Sequence, residues 1–418
     1  MIQPEQFRAW LLEEARSEGF TLAATIDLDP ALNPPDPGQP APYDEHLARY
    51  DRWLEQGRHG EMHYLQRGRD RRADPRRLMP EAKAMLCVAL PYPRRPAGAP
   101  TAEQGPRYAR YLQGPDYHVD LAERLGRVML RVRARVAQAE SKAGAEASAK
   151  PNRVPPPRPG GPADRVLRWK VCVDTSAVLE RTWAALSGLG WIGKNTLLIH
   201  PKEGSYLFLG EVLFDRETGQ GPAPLPHFCG HCTRCLDGCP TGAITAPGEL
   251  DSRKCIAYAT LEKRGEWPQA TAKTEGFVAG CDVCQEVCPF NHKPSAAEAA
   301  LGPPSAPDQS LDLKDPTQKN SWLQLLRETE SEYTERVNGT ALERIRPEDF
   351  SRNLALALSE ALVSASDWDP QDAAVLLKEC QSRVVRAQTT EAQVLLWQAC
   401  VELLQAHLRR DSKKPGSS

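Results

Sequence analysis

Short runs of apolar and β-branched residues alternate with amphipathic stretches through the first half of the chain. The apolar runs predict strands at Thr21–Ile26, Met85–Leu90, Val171–Val173, Thr196–Ile199 and Tyr206–Phe214. Apolar residues at helical spacing predict helices at Pro4–Glu18, Asp120–Glu140 and Ala177–Ser187. Strands that alternate with helices are typical of an α/β domain, which we place at residues 1–220.

The pattern changes towards the C-terminus. Residues 296–321 are rich in proline and predict a linker, and residues 322–418 predict an all-α domain. The segment Arg352–Leu358 resembles a HEAT-type repeat helix, so we expect this domain to be HEAT-like. Proline- and glycine-rich segments also interrupt the first domain, and the one at Ser141–Pro162 predicts a disordered surface insertion.

Between these parts, residues 221–295 carry two cysteine runs. The first run is C-x2-C-x2-C-x3-C followed by proline, and comprises Cys229, Cys232, Cys235 and Cys239. The second is C-x2-C-x3-C followed by proline, and comprises Cys281, Cys284 and Cys288, with Cys255 between the runs. The first run has the spacing of bacterial ferredoxins. Eight thiolates match the needs of two [4Fe–4S] clusters, so we predict a ferredoxin-like two-cluster module.

In ferredoxins of this type the fourth cysteine of a run ligates the other cluster. Cluster one would then take Cys229, Cys232, Cys235 and Cys288. Cluster two would take Cys239, Cys281, Cys284 and, by elimination, Cys255. Two zinc sites of four thiolates each would need the same eight cysteines and are the alternative. A disulfide framework suits this long chain less well, because it opens without a signal peptide.

Charge and hydropathy indicate where the protein is located and what kind of partner it can bind. No stretch approaches the ~18 apolar residues of a membrane span, so we expect a cytoplasmic protein. The formal net charge is −2. Arginines nevertheless cluster at residues 67–77 and 124–135, and the tail is basic at residues 409–414. Such clusters are either solvated faces or contacts to nucleic acid.

Two features of the first domain suggest chemistry. The segment Gly188–Asn195 nearly matches the P-loop pattern, but Asn195 replaces the hydroxyl that binds Mg²⁺ and a predicted helix precedes it. We therefore predict a tight helix-to-strand turn where backbone approaches a ligand. Asp174 follows the strand Val171–Val173, so it is either an acid at a strand end or the N-cap of the helix predicted from Ala177.

Together these segments resemble the epoxyqueuosine reductase family, the cobalamin-dependent iron–sulfur enzymes of queuosine tRNA modification. The resemblance rests on the two cysteine runs and on the following segments: Arg72–Pro75, Pro80–Lys83, Ala109–Tyr111, Gly114–His118, Val173–Thr175, Glu180–Arg181, Gly190–Asn195, Gly204–Glu211, Pro240–Ala243, Cys255–Ile256 and Gly280–Pro289. It covers roughly residues 1–295, with a looser helical tail.

The resemblance implies a base-off cobalamin that receives single electrons from the clusters. The residues expected at this cofactor are Arg72, Ala109, Asp174, Leu198, Leu209 and Asp282. Asp174 would be the general acid, and the substrate would be epoxyqueuosine at the wobble position of tRNA. We also expect a low-potential electron donor, not identified by the sequence, and a monomer. The alternatives are an enzyme like the corrinoid and iron–sulfur reductive dehalogenases, or a ferredoxin-type electron-transfer protein.

Overall fold

The chain folds into two units, and each unit is made of three stretches that are separate along the sequence. The computed structural model describes residues 2–33, 39–92, 105–147, 166–271, 273–292, 321–364, 368–386 and 391–411. The first unit comprises residues 1–92, 117–232 and 289–300, and the second comprises residues 93–116, 233–288 and 301–418. The four predicted segments, 1–220, 221–295, 296–321 and 322–418, do not coincide with this grouping and remain a prediction. Most of Ser141–Pro162 and of the proline-rich linker lies outside the described residues.

An antiparallel sheet of four strands forms the centre of the first unit, in the order Leu22–Asp27, Ala84–Pro91, Leu207–Phe214 and Trp169–Cys172. The strands of this unit are β1 (Leu22–Asp27), β2 (Ala84–Pro91), β4 (Trp169–Cys172), β5 (Trp191–Ile192), β6 (Leu198–Ile199) and β7 (Leu207–Phe214). Its helices are α1 (Pro4–Ser17), α2 (Leu28–Leu32), α3 (Asp44–Glu55), α4 (His63–Arg67), α5 (Arg69–Ala73), α6 (Tyr117–Ala147) and α7 (Glu180–Leu186).

Both faces of this sheet are buried, which explains why its central strands read as continuous apolar runs. Successive side chains of a strand point to opposite faces. Leu86 and Val88 of β2 therefore pack under α1 and α6, whereas Met85 and Cys87 pack with Trp183 of α7 on the other face. The strands predicted at residues 21–26, 85–90, 171–173 and 206–214 are confirmed within two residues, and the mixed α/β class is confirmed with them.

Two expected element boundaries are wrong. The helix predicted from Ala177 begins only at Glu180, with Leu179 as its N-cap. The strand predicted at Thr196–Ile199 is limited to Leu198–Ile199 and pairs with β5 as a short hairpin. The residues before each element form turns that backbone hydrogen bonds close, from the Val178 N–H to the Ser176 carbonyl and from the Thr196 N–H to the Gly193 carbonyl.

Ion pairs join α1 to α6 along one face of the first unit. Arg127 and Arg131 both pair with Glu18, which directly follows α1. Arg131 also pairs with Glu14, and Arg135 pairs with Glu13; all of these distances are 2.6–3.0 Å. The arginine cluster at residues 124–135 is thus largely used within the fold.

The second unit contains the larger part of the cysteine module and the C-terminal helices. Its strands are β3 (Arg107–Tyr108), β8 (Ile244–Ala246), β9 (Glu249–Leu250) and β10 (Phe277–Ala279). Its helices are α8 (Arg234–Asp237), α9 (Ile256–Leu261), α10 (Val283–Glu286), α11 (Ser321–Arg327), α12 (Glu330–Val337), α13 (Pro347–Ser364), α14 (Pro370–Arg386) and α15 (Glu391–Asp411). β10 pairs in parallel with β3, and α15 packs on α13 and α14.

A buried polar clamp fastens α13 to the cysteine module within this unit. Arg352, 1% exposed, donates to the carbonyl oxygen of Ala259 at 2.9 Å. Asn353 Nδ2 donates to the carbonyl oxygens of Thr260 and Val278 at 2.9 and 3.0 Å. These contacts satisfy carbonyls at the end of α9 and on β10, so they fix both elements on α13.

The described helices include none that is long and apolar enough to cross a membrane.

Candidate active site and cluster ligands

The loop between β4 and α7 presents Asp174 in an unusual backbone conformation. Its φ of +44° lies in the left-handed region, which few residues other than glycine adopt. The backbone N–H of Asp174 donates to Glu180 Oε1 at 2.5 Å, and this bond holds the loop. The N-cap alternative is excluded, because the helix begins six residues later. An aspartate held in a strained loop by a second carboxyl group fits a role in chemistry.

The side chain of Asp174 is open to solvent and has one histidine neighbour. It is 42% exposed, and its Oδ2 lies 3.1 Å from Nε2 of His118 in the first turn of α6. A carboxyl group that is reachable from outside and anchored by an imidazole can donate a proton to a bound substrate.

Two further carboxyl groups lie behind Asp174. Burial, and then the charge of Asp174, raise the pKa of Glu180 to about 8. Glu211 on β7 is fully buried, and burial followed by the charges of Glu180 and Asp174 raises its pKa well above its usual range. At neutral pH both groups are therefore carboxylic acids rather than carboxylates.

Four of the residues expected at cobalamin lie in the first unit. Arg72, 7% exposed, has no hydrogen bond or ion pair from its guanidinium among the described residues. A Cβ on Gly68 would lie 2.1 Å from Arg72 Nη1 and 3.4 Å from the Ala177 side chain, so this cation lies beside the turn that follows Asp174. Leu198 and Leu209 belong to the core on the same face of the sheet. A buried, unpaired guanidinium fits an anionic or amide-bearing cofactor.

The other two expected cobalamin contacts, Ala109 and Asp282, lie together in the second unit. Asp282 Oδ2 accepts the backbone N–H of Arg110 at 2.8 Å, and its Oδ1 accepts from Gln285 at 3.1 Å. Burial raises the pKa of Asp282 to about 6. A Cβ on Gly280 would lie 2.4 Å from the Ala109 side chain, so this glycine permits close contact. Both residues can therefore be explained by packing as well as by cofactor binding.

The four cysteines assigned to cluster two gather within the second unit. Burial, and then the charge of Cys255, raise the pKa of Cys284, with further contributions from Asp282 and Cys239. Burial and then Cys255 likewise raise the pKa of Cys281. The backbone N–H of Ala243 donates to Cys239 Sγ at 3.2 Å. Thiolates that raise one another's pKa are more readily deprotonated when a positively charged metal group binds them.

The cysteines assigned to cluster one are divided between the units. Cys229 and Cys232 belong to the first, and Cys235 and Cys288 to the second. Within the second unit α8 packs on α10, and a Cβ on Gly238 would lie 3.2 Å from Val287. The two cysteine runs are therefore adjacent there, as the exchange of Cys239 and Cys288 requires.

The glycine and lysine segment near β5 contacts the first cysteine run. Lys194 Nζ donates to the carbonyl oxygens of Gly230 and Cys232 at 2.7 and 2.9 Å. Trp191 Nε1 donates to Cys229 Sγ at 3.4 Å. The segment follows helix α7, which counts against a P-loop, and its lysine holds a cysteine loop.

Ligand spacing bears on the zinc alternative. Sulfur atoms around a tetrahedral zinc ion lie about 3.8 Å apart, because each Zn–S bond is about 2.3 Å. Across the described ranges, no three His, Cys, Asp or Glu side chains converge to hold one metal ion. All twelve cysteines are free thiols. The spacing of the two cysteine runs is therefore what favours four-iron groups over zinc ions.

His118, Glu180 and Glu211 received no role from the sequence. Glu211 could have been noticed, because it is the one charged residue in the apolar run Tyr206–Phe214. His118 and Glu180 reach Asp174 only through the fold, since 56 residues separate His118 from it.

Comparison with known proteins identifies the family to which these features correspond. A family model described as "Epoxyqueuosine reductase QueG, DUF1730" matches residues 72–145, and a "4Fe-4S double cluster binding domain" matches residues 228–291. The epoxyqueuosine reductase of Synechococcus sp. strain RCC307 is 37% identical over 317 residues, which cover 74% of this chain and 83% of the relative. That of Pseudomonas aeruginosa is 35% identical over 321 residues, which cover 76% and 79%.

Solved structures agree on the fold. A crystal structure of epoxyqueuosine reductase with an epoxyqueuosine-modified tRNA-Tyr stem loop matches with a TM-score of 0.65 at 23% identity, covering 96% of this chain and all of that one. Given the sequence relatives, the chain belongs to the epoxyqueuosine reductase family of oxidoreductases.

Proposed function

We propose that this chain reduces epoxyqueuosine to queuosine at the wobble position of tRNA. The observation that carries the proposal is the 37% identity, over 317 residues, to an epoxyqueuosine reductase. The relative crystallised with an epoxyqueuosine-modified tRNA stem loop supports tRNA as the substrate. A wobble base is unpaired in its loop, so a protein can splay it into a pocket.

Removing an epoxide oxygen as water requires two electrons and two protons and leaves a carbon–carbon double bond. Base-off cobalamin, fed by the two [4Fe–4S] clusters, would supply the electrons when bound. The side chains of the protein supply the protons and position the substrate. Asp174 is the proton donor in this proposal, because its carboxyl group is exposed and its loop is fixed by Glu180. A positioned acid of this kind contributes typically ~10²–10⁴ in rate.

We assign the cluster ligands by the crossover rule. Cys229, Cys232, Cys235 and Cys288 hold cluster one, and Cys239, Cys255, Cys281 and Cys284 hold cluster two. The mutual electrostatic effects among the thiols of Cys239, Cys255, Cys281 and Cys284 support the second set. Cys255, which lies just before helix α9, takes the place of the missing leading cysteine of the second run in this assignment.

We assign the cobalamin contacts to Arg72, Ala109, Asp174, Leu198, Leu209 and Asp282. Support is strongest for Arg72, whose buried charge lacks a partner among the described residues. Leu198 is 3% exposed, so its contribution would come from the backbone or from packing. The C-terminal helices α13–α15 are compatible with a HEAT-like domain.

Ion pairs within the fold reduce the number of arginines in residues 67–77 that are available to tRNA phosphates. Arg69 bonds to Asp51, and Arg76 bonds to Asp74 and Asp29. Arg67, Arg71 and Arg77 are exposed, and the described residues give them no such partner. We assign phosphate contacts to these three, since an arginine without a carboxylate can neutralise a phosphate at lower cost. We expect a cytoplasmic monomer that accepts electrons from a low-potential donor.

The decisive experiment is mass analysis of tRNA nucleosides from cells that lack the chain. Epoxyqueuosine should accumulate, queuosine should disappear, and the intact gene should restore it. Anaerobic protein reconstituted with cobalamin should then convert epoxyqueuosine-containing tRNA. Unchanged queuosine in the deleted cells would overturn the proposal. Activity on halogenated compounds instead would favour the dehalogenase alternative, and cluster absorbance without any corrinoid binding would favour the ferredoxin type.

A further inference from the structure

The central strand β7 buries a carboxyl group that the proposed chemistry leaves unused. Glu211 is fully buried, and neither of its carboxyl oxygens has a hydrogen-bond partner among the described residues. Its neighbours across the sheet are Cys87 on β2 and Cys172 on β4. An ionised carboxylate without partners is strongly disfavoured in such a place, so Glu211 stays neutral.

Glu180 connects this buried group to the surface. It is partly buried, and its Oε1 accepts the backbone N–H of Asp174. The titratable and charged groups that act on it or on Glu211 are Asp174, His118, Arg181, Cys172 and Cys87. Asp174, Glu180 and Glu211 thus form a series of three carboxyl groups that runs from solvent to core. Because like charges raise one another's pKa, few of these groups can be ionised at once.

The number of protons that the reduction consumes suggests a function for this series of carboxyl groups. Two protons are consumed, but Asp174 carries one at a time. Its exposed side must be covered by the substrate that receives its proton, so replacement from solvent is blocked while the substrate is bound. The replacement has to come from the protein side, where Glu180 is the adjoining acid.

We propose that Glu180 stores the second proton of the reduction and passes it to Asp174. The inference rests on the proposed function, in particular on Asp174 as the acid. In the transfer the O–H bond of Glu180 breaks and an O–H bond forms on the Asp174 carboxylate. Glu180 is left as a carboxylate and regains a proton from solvent after product release. No electron moves in this step. Glu180 acts through Asp174 and is a positioning residue.

The first test is a single-turnover reaction of pre-reduced protein with epoxyqueuosine-containing tRNA, followed against pH. The parent's rate should fall above about pH 8, where Glu180 loses its proton. Glu180→Gln keeps an oxygen for the Asp174 N–H but holds no acidic proton. Its rate should be roughly ten- to a hundred-fold lower, and the fall near that pH should be absent. Glu217→Gln, an exposed change on the same unit, should match the parent.

The second test needs no substrate and no cobalamin. Infrared difference spectra of the anaerobic, cluster-containing parent should show one protonated carboxyl band that disappears as pH rises through about 8. Glu180→Gln should lack that band. Glu211→Gln should lose a separate carboxylic acid band that persists to higher pH. If Glu180→Gln fails to fold, the titration of the parent's band still decides the matter.

The outcomes separate the two proposals. A parent without a titrating carboxyl band, or a Glu180→Gln variant with the parent's rate and pH profile, would overturn the proton store. If Asp174→Asn is inactive in the same assay, the general acid nevertheless stands. If Asp174→Asn keeps the parent's rate, the role of Asp174 fails and the transfer to it fails as well.

Discussion

The indole Nε1 of Trp191 donates to the sulfur of Cys229 at 3.4 Å. Hydrogen bonds to cluster sulfur stabilise the more negative, reduced state and so raise the reduction potential. Trp191 is itself fixed between Phe228 and Phe290, whose rings lie 5.0 and 4.9 Å from it. With Cys229 as the proposed ligand of cluster one, the bond would link the β5–β6 hairpin to the reduction potential of that cluster.

Replacing Trp191 with Phe should lower the potential of one cluster and leave the iron content at the parent's level. If the bond favours the reduced state by roughly 1 kcal/mol, the shift is about 40 mV for one electron. Anaerobic redox titration followed by electron paramagnetic resonance would measure it. Equal potentials in parent and variant would mean that this bond does not persist once the cluster is bound.

The Cys255→Ala variant should lose cluster two and keep cluster one. Iron should fall from about eight to about four atoms per chain, since each cluster needs four thiolates. Cys380→Ala is a matched control, because that buried cysteine lies in helix α14 and has no assigned ligand role. Full iron in Cys255→Ala would remove this residue from the ligand set, and zinc in place of iron in the parent would restore the zinc alternative.

Asp174→Asn should reduce the epoxide roughly two to four orders of magnitude more slowly while binding both clusters and cobalamin. Asparagine tolerates the left-handed conformation of this position, so the loop should persist. Single-turnover assays with pre-reduced protein measure the effect without electron delivery. Asp29→Asn, on the exposed helix α2, is the control. A near-normal rate would assign proton donation to another group.

Changing Arg71 and Arg77 together to Gln should weaken tRNA binding and flatten its salt dependence. Each lost phosphate contact should lower the slope of log affinity against log salt by about 0.7–0.9. The charge-matched control is Arg127→Gln with Arg135→Gln, whose side chains are paired with glutamates of α1. Equal slopes in the two double variants would mean that the ion pairs of α6 open to meet tRNA.

The contribution of Glu180 to the free energy of unfolding should fall as pH rises from about 4.5 to about 8. Its pKa is raised in the folded state, so over that window the folded chain holds a proton that the unfolded chain has released. The contribution is present below the unfolded pKa and is lost by about pH 8. Glu180→Gln should reduce the slope by at most about 1.4 kcal/mol per pH unit. Anaerobic urea unfolding at several pH values measures it, and parallel curves for parent and variant would contradict it.

Much of the fold could be predicted because strands that are buried on both faces consist of continuous apolar residues. β2 is apolar along its length, and β7 is apolar apart from Glu211, since both faces of the sheet are covered. The cysteine spacing likewise predicts ligands, because a cluster constrains neighbours along the chain. The left-handed backbone of Asp174 was not predictable, since it depends on the hydrogen bond that the Asp174 N–H donates to Glu180. Nor were the partners of the α6 arginines, which lie more than a hundred residues earlier in the chain.

The clamp of Arg352 and Asn353 makes helix α13 part of the scaffold that carries the cysteine module. A shortened protein that ended before α11 would keep all eight cysteines of the module. It would also leave the carbonyls of Ala259, Thr260 and Val278 without their donors, at both ends of the segment that follows Cys255. Relatives that dispense with these helices would need another way to satisfy those carbonyls. The cysteine motif alone is therefore an incomplete guide to which chains can hold the second cluster firmly.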